Sequence, residues 1–192
     1  MATLSPEHTI LFLCAHGAGH TWFRLFWLND IACMIKKHDT INWQSLMLYA
    51  SRLGIGRMTA EGIVLSNRLL ASPLPEPIRI FSEKDKGVYK IAGMAFSLIM
   101  HPQGPSHMPF TKPYYYSKMH NSMLRGDLRY KLIFSANLIS AKYGDWNRIP
   151  LPDVLFPFYH LIRPFTWFSR WYIRGTKVYK EGPMGRGRND VA

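Results

Sequence analysis

Five residues near the start of this 192-residue chain have types and spacing that could do chemistry: His16, His20, Arg24, Trp27 and Asp30. On a helix that runs on through Gly17 and Gly19, a repeat of about 3.6 residues puts all five along one stripe. Two imidazoles one turn apart are the pair that zinc-binding helices use. The helical metalloprotease pattern also needs a glutamate directly after the first histidine, and here that place is Gly17, with Asp30 the nearest further ligand, so no metal site is expected. Arg24 and Asp30 offer an ion pair on the same stripe. Most neighbouring positions are apolar, which predicts a buried helix whose polar stripe finds partners inside the protein. Two readings follow: a polar seam tying helices together, with a hydrogen-bonded histidine pair, or one wall of a ligand pocket.

The elements that must position this stripe read as helices. Ser5 suits a cap, Pro6 the first helical position and Glu7 the positive end of the dipole, and the apolar pattern continues past Asp30 to Lys36 and Lys37. A second helix is expected from the cap Asn42, with Leu46, Tyr49, Ala50 and Leu53 at helical spacing before Gly54, and a third from Arg57 to Leu70. The prolines of Ser72-Pro73-Leu74-Pro75-Glu76-Pro77 predict an extended connector. Ser82 then caps a helix from Glu83 to Met100, with Glu83 and Asp85 as solvated acids in its first turn. A proline-rich loop over 101–113 leads to a helix from Tyr114 to Tyr143, with Gly126 its weak point and Tyr114, Tyr115 and Tyr116 either core or binding surface. Pro157 and Pro164 break the aromatic region that follows, and the basic, Gly-rich stretch from Gly175 is expected to be disordered. With no strand alternation and no repeat, the fold is predicted to be all-α. It is expected to be an irregular bundle of about six helices forming one domain over 1–174, with a disordered tail over 175–192.

Hydrophobic residues at 47% and aromatics at 14% exclude general disorder. Lys and Arg outnumber Asp and Glu by 24 to 12, and the net charge of +12 calls for a large solvated basic face or an anionic partner such as a nucleotide, nucleic acid or anionic lipid. Neither a Gly-x-Gly-x-x-Gly loop nor a Walker pattern occurs. The nearest feature, Gly54-Ile55-Gly56-Arg57, reads as a turn between antiparallel helices or as a helix start that could take phosphate. No Ser-His-Asp or Cys-His nucleophile arrangement follows from spacing. The segment 156–174 interleaves aromatics with arginines, and straps a helical core, lies on an anionic membrane surface or, the poorest fit for want of a sheet or repeat platform, stacks on single-stranded nucleic acid. Cys14 and Cys33, both on apolar faces of one helical region, are too far apart on a continuous helix to pair and are expected to be reduced. No signal peptide and no apolar run of about 18 residues is present, so the expected location is cytoplasmic.

Leu4-Ser5-Pro6-Glu7-His8, followed by His16-Gly17-x-x-His20-x-Trp22-x-Arg24-Leu25-x-Trp27-Leu28-x-Asp30-Ile31-Ala32, resembles the central signature of an uncharacterised family of bacterial nucleotidyltransferases. The likeness continues through Asn42-Trp43, Ala50-x-x-Leu53-Gly54, Arg68-Leu69-Leu70 and Pro73-Leu74-Pro75. It returns at Pro150-Leu151-Pro152, Leu155-Phe156-Pro157 and Tyr159-x-Leu161-Ile162-Arg163-Pro164. The resemblance implies enzymes whose active site is a small sheet with a Gly-Ser turn and paired aspartates that hold Mg²⁺ on a nucleoside triphosphate. In that family this sheet precedes the histidine block, and this chain has no Gly-Ser turn followed by paired aspartates. The expectation is therefore the helical C-terminal portion of such a protein, without its catalytic domain. It would be an accessory, substrate-side part, from a truncated gene or working with a separately encoded catalytic partner. Such a part carries no cofactor of its own, meets Mg²⁺ and NTP only with the catalytic domain, and is inactive alone. His16, His20, Arg24 and Asp30 would then brace the helices or form one wall of a substrate cleft, and apolar surface left by the missing domain would favour self-association. Two other classes stay open. One is a binding protein that docks on an anionic membrane or other anionic partner through 156–174, and the other is a metal-dependent enzyme centred on His16 and His20.

Overall fold

The first helix begins where the sequence predicts. The Ser5 hydroxyl accepts from the His8 N–H and Pro6 takes the first position of α1 (Pro6–Gly19). In a computed structural model the described residues are 4–100 and 112–139, together with Pro152 and Phe158. Among them the fold is all-α, with no strand. After α1 come α2 (Phe26–Lys37), α3 (Trp43–Arg52), α4 (Gly56–Leu70), α5 (Glu76–Lys84), α6 (Gly87–Met100), α7 (Lys112–Met123) and α8 (Leu128–Ile139). Two compact units divide the chain, 1–133 and 134–192. Helices α1 to α7 lie wholly in the first. Of the second, the described residues are the last turns of α8, Pro152 and the exposed Phe158. The expected stop at Gly144, most of the segment 156–174 and the tail 175–192 lie outside the described residues.

The largest departure from expectation comes at the end of α1. The helix does not run on to Lys37; it stops at Gly19 and the chain reverses before Phe26. The hydrogen bonds are those of a Schellman end: the Trp22 N–H donates to the Gly17 carbonyl at 2.9 Å and the Thr21 N–H to the Ala18 carbonyl at 3.0 Å. Thr21 and Trp22 both have φ of 55°, a left-handed conformation that is costly for a β-branched threonine. What holds it is the indole. Trp22 is fully buried, and its ring lies against Gly17 and Gly62 so closely that a Cβ at either glycine would collide with it. A glycine that looks like a weak point in a long helix is thus part of the seat of a tryptophan.

The connector after α4 also folds differently. Pro75 serves as the cap and Pro77 sits in the first turn of α5, where a proline removes no helical hydrogen bond. Ser82 is therefore no cap; it is buried inside α5 and its hydroxyl donates to the Ile78 carbonyl at 2.8 Å. Glu83 pairs with Arg79, whereas Asp85 is not a solvated acid. It takes two hydrogen bonds from Arg57, at 2.6 and 2.9 Å, and a third from the Gly87 N–H at 3.0 Å. Burial pushes the Asp85 carboxyl up, but these bonds and the guanidinium charge outweigh it and hold its pKa below the ordinary value. The expected single helix from Tyr114 is two helices, because Asp127 caps α8 by accepting from the Tyr130 N–H, and the Tyr130 hydroxyl donates to the Asn121 carbonyl at the end of α7. Two unanticipated breaks and the helix α5, formed where an extended connector is expected, thus give eight helices among the described residues, where the sequence predicts five up to Tyr143 and a sixth, Pro-broken region beyond the described residues.

The helix at the centre is α4, which packs against α1, α2, α3, α5 and α6. Residues 59–66 are buried without interruption, so this helix has no solvated face along its middle. Ile63, Val64 and Leu65 fill the core with Ile10, Leu28, Ile31, Ile91 and Ala95. Inside this shell lies Glu61, fully buried, and its Oε1 is 2.5 Å from Nε2 of the equally buried His120 on α7. Cys14 of α1 is buried nearby, and burial together with the Glu61 charge pushes its thiol up, which makes it an inert core group. Cys33 is free as well, but it is exposed and not on an apolar face turned inward.

Two substitutions test how the turn is held. Gly17→Ala is expected to lower stability by about 1–3 kcal/mol, because the new methyl must displace the Trp22 ring. Gly19→Ala, whose added carbon meets nothing within 4 Å, is expected to be neutral or to stabilise by up to about 1 kcal/mol. Equal urea midpoints for the two variants would show that Gly17 is not the indole's seat. Thr21→Gly, which relieves the left-handed backbone, is expected to raise the midpoint, corresponding to up to about 1 kcal/mol. A drop would mean that the threonine side chain contributes more than its backbone costs.

Candidate functional site

The reversal at Trp22 gathers six rings at one end of α1 and α2. Phe12 and His16 come from α1, His20 and Phe23 from the turn, and Phe26 and Trp27 from the start of α2. Trp27 is the hub. The His16 ring meets it edge-on at 4.8 Å between centroids, His20 lies at 5.7 Å, Phe23 at 5.2 Å and Phe26 at 5.6 Å. Phe12 stacks on His16 at 5.7 Å with the planes 18° apart. The two histidine rings are 4.7 Å apart. Trp27 is only 8% exposed, whereas Phe12, Phe23 and Phe26 are 58%, 64% and 51% exposed, so the hub is covered and its ring of neighbours faces water. The Arg24 guanidinium lies over the Phe23 and Phe26 rings, 5.3 and 5.8 Å from their centroids.

The four residues singled out in the sequence are therefore partly brought together, and none is buried. His16, His20, Arg24 and Asp30 are all exposed. No internal polar seam forms: His16 is exposed within α1 itself, and from Thr21 on the chain no longer follows the 3.6-residue repeat that aligned the stripe. His16 and His20 stay adjacent because both belong to the last turn of α1 and its cap. Arg24 reaches the same surface through the turn, while Asp30 lies a turn further along α2, and among the described residues no ion pair joins it to Arg24.

Chemically, this surface offers flat apolar rings for a planar partner, two imidazoles that can donate or accept hydrogen bonds, and one permanent cation. Among the described residues no group of three His, Cys, Asp or Glu side chains is placed to hold a metal ion. The other candidate, the start of α4, has its arginine in use. Gly54 turns the chain with φ of 73°, and Arg57 is taken up by Asp85 and by the Met123 carbonyl. Tyr115 and Tyr116 of α7 are exposed and Tyr114 is half-buried beneath Lys118.

Phe12, Phe23 and Phe26 are not singled out by the sequence, where they fall in the apolar lining of a buried helix. The signal for the break was present: two glycines within three positions are the residues with which helices most often end. No helix among the described residues is long and apolar enough to cross a membrane.

Comparison with known proteins bears on this end of the chain. No curated protein and no solved structure matches it. A family model described as an uncharacterised nucleotidyltransferase matches residues 1–71, the stretch that builds α1 to α4 and carries the whole ring surface, so over that stretch the chain is similar to this nucleotidyltransferase family.

Proposed function

We propose that this chain is the helical, substrate-side part of a nucleotidyltransferase-type protein, and that the surface of His16, His20, Phe23, Arg24 and Phe26, built round the covered Trp27, is where it meets the nucleotide. The observation that carries the reading is the exposed ring surface lying within the segment similar to the family. Exposed aromatic rings shed their hydration water only when something covers them, and a nucleobase is a flat partner of the right kind. Arg24 and the two imidazoles supply donors for phosphate oxygens.

Nucleotidyl transfer needs carboxylates free to hold Mg²⁺ on the triphosphate. Most of the described carboxylates are committed elsewhere: Glu61 is given to His120, Asp85 to Arg57, Glu76 and Glu83 to Arg79, and Asp127 to Arg125. In this reading the acids, the metal and the chemical step belong to a catalytic domain, and the present residues bind and orient. Two free thiols accord with work in the reducing cytoplasm.

Calorimetric titration of the purified chain with ATP, CTP, GTP and UTP in the presence of Mg²⁺ tests this. Saturable binding of at least one nucleotide is expected, weakened about tenfold or more in His20→Ala and in Arg24→Ala. Because both side chains are exposed, their removal should shift unfolding by no more than about 0.5 kcal/mol. Absence of binding, or binding indifferent to both substitutions, would overturn the assignment of this surface.

A further inference from the structure

We infer that α7, which lies along α6, is a strap whose hold on α4 is the buried pair of His120 and Glu61, and that loss of the imidazolium proton loosens it. Of the described side chains of α7, only His120 is fully buried; the others are half-buried or exposed. Met123 also packs against the core, but the one fully buried side chain of this helix is a titratable group where most helices use leucines or isoleucines. Its partner lies in the uninterruptedly buried stretch of α4, 59 residues earlier in the chain. The second oxygen of Glu61, Oε2, is buried with no hydrogen-bond donor among the described residues, so the imidazolium is the group that balances the carboxylate.

The charged surroundings are sparse. Cys14 of α1 is the other titratable group whose interaction reaches Glu61, and its thiol stays protonated. Of the remaining ionisable groups on α1, α2, α3, α5 and α6, Glu7 of α1 is half-buried and the rest, among them Asp30, Lys36 and Lys37 of α2 and Tyr89 and Lys90 of α6, are exposed; Tyr114 and Lys118 of α7 are half-buried, and Arg57 is paired with Asp85. On α7 itself, Asn121 Oδ1 lies 3.2 Å from Nδ1 of His120 and steadies the ring.

Burial pushes the His120 pKa down, but the hydrogen bond to Glu61, its charge and the contact with Asn121 outweigh this and raise it above the histidine value of 6.5. A group raised in the folded state contributes fully below its unfolded value and loses that contribution as pH climbs through the folded one. The strap is therefore closed below about pH 6.5 and loosens on the alkaline side. Deprotonation leaves a neutral imidazole beside a buried carboxylate, an arrangement relieved by letting α7 lift and water enter.

The consequence reaches the ring surface. Ser117 of α7 lies 3.4 Å, oxygen to oxygen, from Thr21, the residue held left-handed at the start of the turn. Lifting α7 removes that contact and frees the turn carrying His20, Phe23 and Arg24. Regulation of nucleotide binding by this route rests on the function proposed above; the strap itself does not.

Hydrogen–deuterium exchange of the full chain without nucleotide, followed by mass spectrometry and corrected for intrinsic rates, decides between a strap and a fixed helix. From about pH 6 to about pH 9, exchange of residues 113–123 is expected to rise by up to about tenfold per pH unit until His120 has titrated, with 20–25 following and 59–66 lagging. In Glu61→Gln, which keeps a hydrogen-bonding partner without the charge, the rise should vanish; His120→Gln serves the same purpose if the first variant does not fold. A wild-type profile for 113–123 that is flat, or that rises in step with every helix, overturns the strap, and so does a rise that persists in a folded variant. No ligand enters the measurement, so its outcome is separate from that of the calorimetry.

Discussion

A carboxylate without water must have a cation, and Glu61 sets that condition at the middle of this protein. The residues on either side of it in α4 are buried, so the side chain cannot reach solvent by bending along its own helix. The demand is met from α7, which also lies along α6 and packs Met123 against the core. The connection is strong only while both partners keep their charges, since removing one member of a buried pair costs about 3–5 kcal/mol. Core packing and docking of α7 are thereby linked through one ion pair, and Arg57, which ties Asp85 to the Met123 carbonyl, is the second tie between the same layers.

The ring surface follows from a different constraint, that of seating an indole. Trp22 enters the core through the gap left by Gly17 and Gly62, and entering there forces two consecutive left-handed residues. Left-handed threonine costs roughly 1–2 kcal/mol, while full burial of a large ring contributes more than that, so the balance favours the strained turn. The short turn then has to present Phe23, Arg24 and Phe26 outward, because Trp22 and Trp27 occupy the inward positions on either side. Exposure of Phe23 and Phe26 is thus a geometric result of burying two tryptophans. That geometry leaves a surface whose own residues supply no cover.

Local chemistry was legible in the sequence wherever a single residue decides a structure. Ser5 and Asn42 cap as expected, Lys37 closes α2, and Gly54 turns the chain before α4. What was not legible depends on partners distant in the chain. A glycine pair can be a flaw in a helix or the seat of a ring, and only Trp22 and Gly62 together decide which. Asp85 reads as a solvated acid until Arg57 is found beside it. Glu61 stands alone in the run Ala60 to Leu65, which marks it as a buried charge in need of a partner, but nothing local singles out His120 among the chain's histidines. The predicted stripe of His16, His20, Arg24 and Asp30 came apart because a 3.6-residue repeat aligns them only on a continuous helix, and α1 ends at Gly19 with His20 as its cap, ahead of Arg24 and Asp30.

The stretch similar to the nucleotidyltransferase family ends at residue 71, with α4, and this has a physical consequence for the chain. It contains every residue of the ring surface, the indole that shapes it and both glycines that seat the indole. It also contains Glu61 but not His120, so in this protein the matched stretch holds a buried carboxylate that it cannot balance by itself. The helices beyond residue 71 are therefore more than an appendage to the matched stretch; α6 covers the core residues of α4 and α7 supplies the missing cation. Because Thr21 at the turn and Glu61 in the core both touch α7, the same helix that completes the interior also borders the ring surface. Any change in how α7 sits must be felt at both places, since a single helix carries both Ser117 and His120, less than one turn apart.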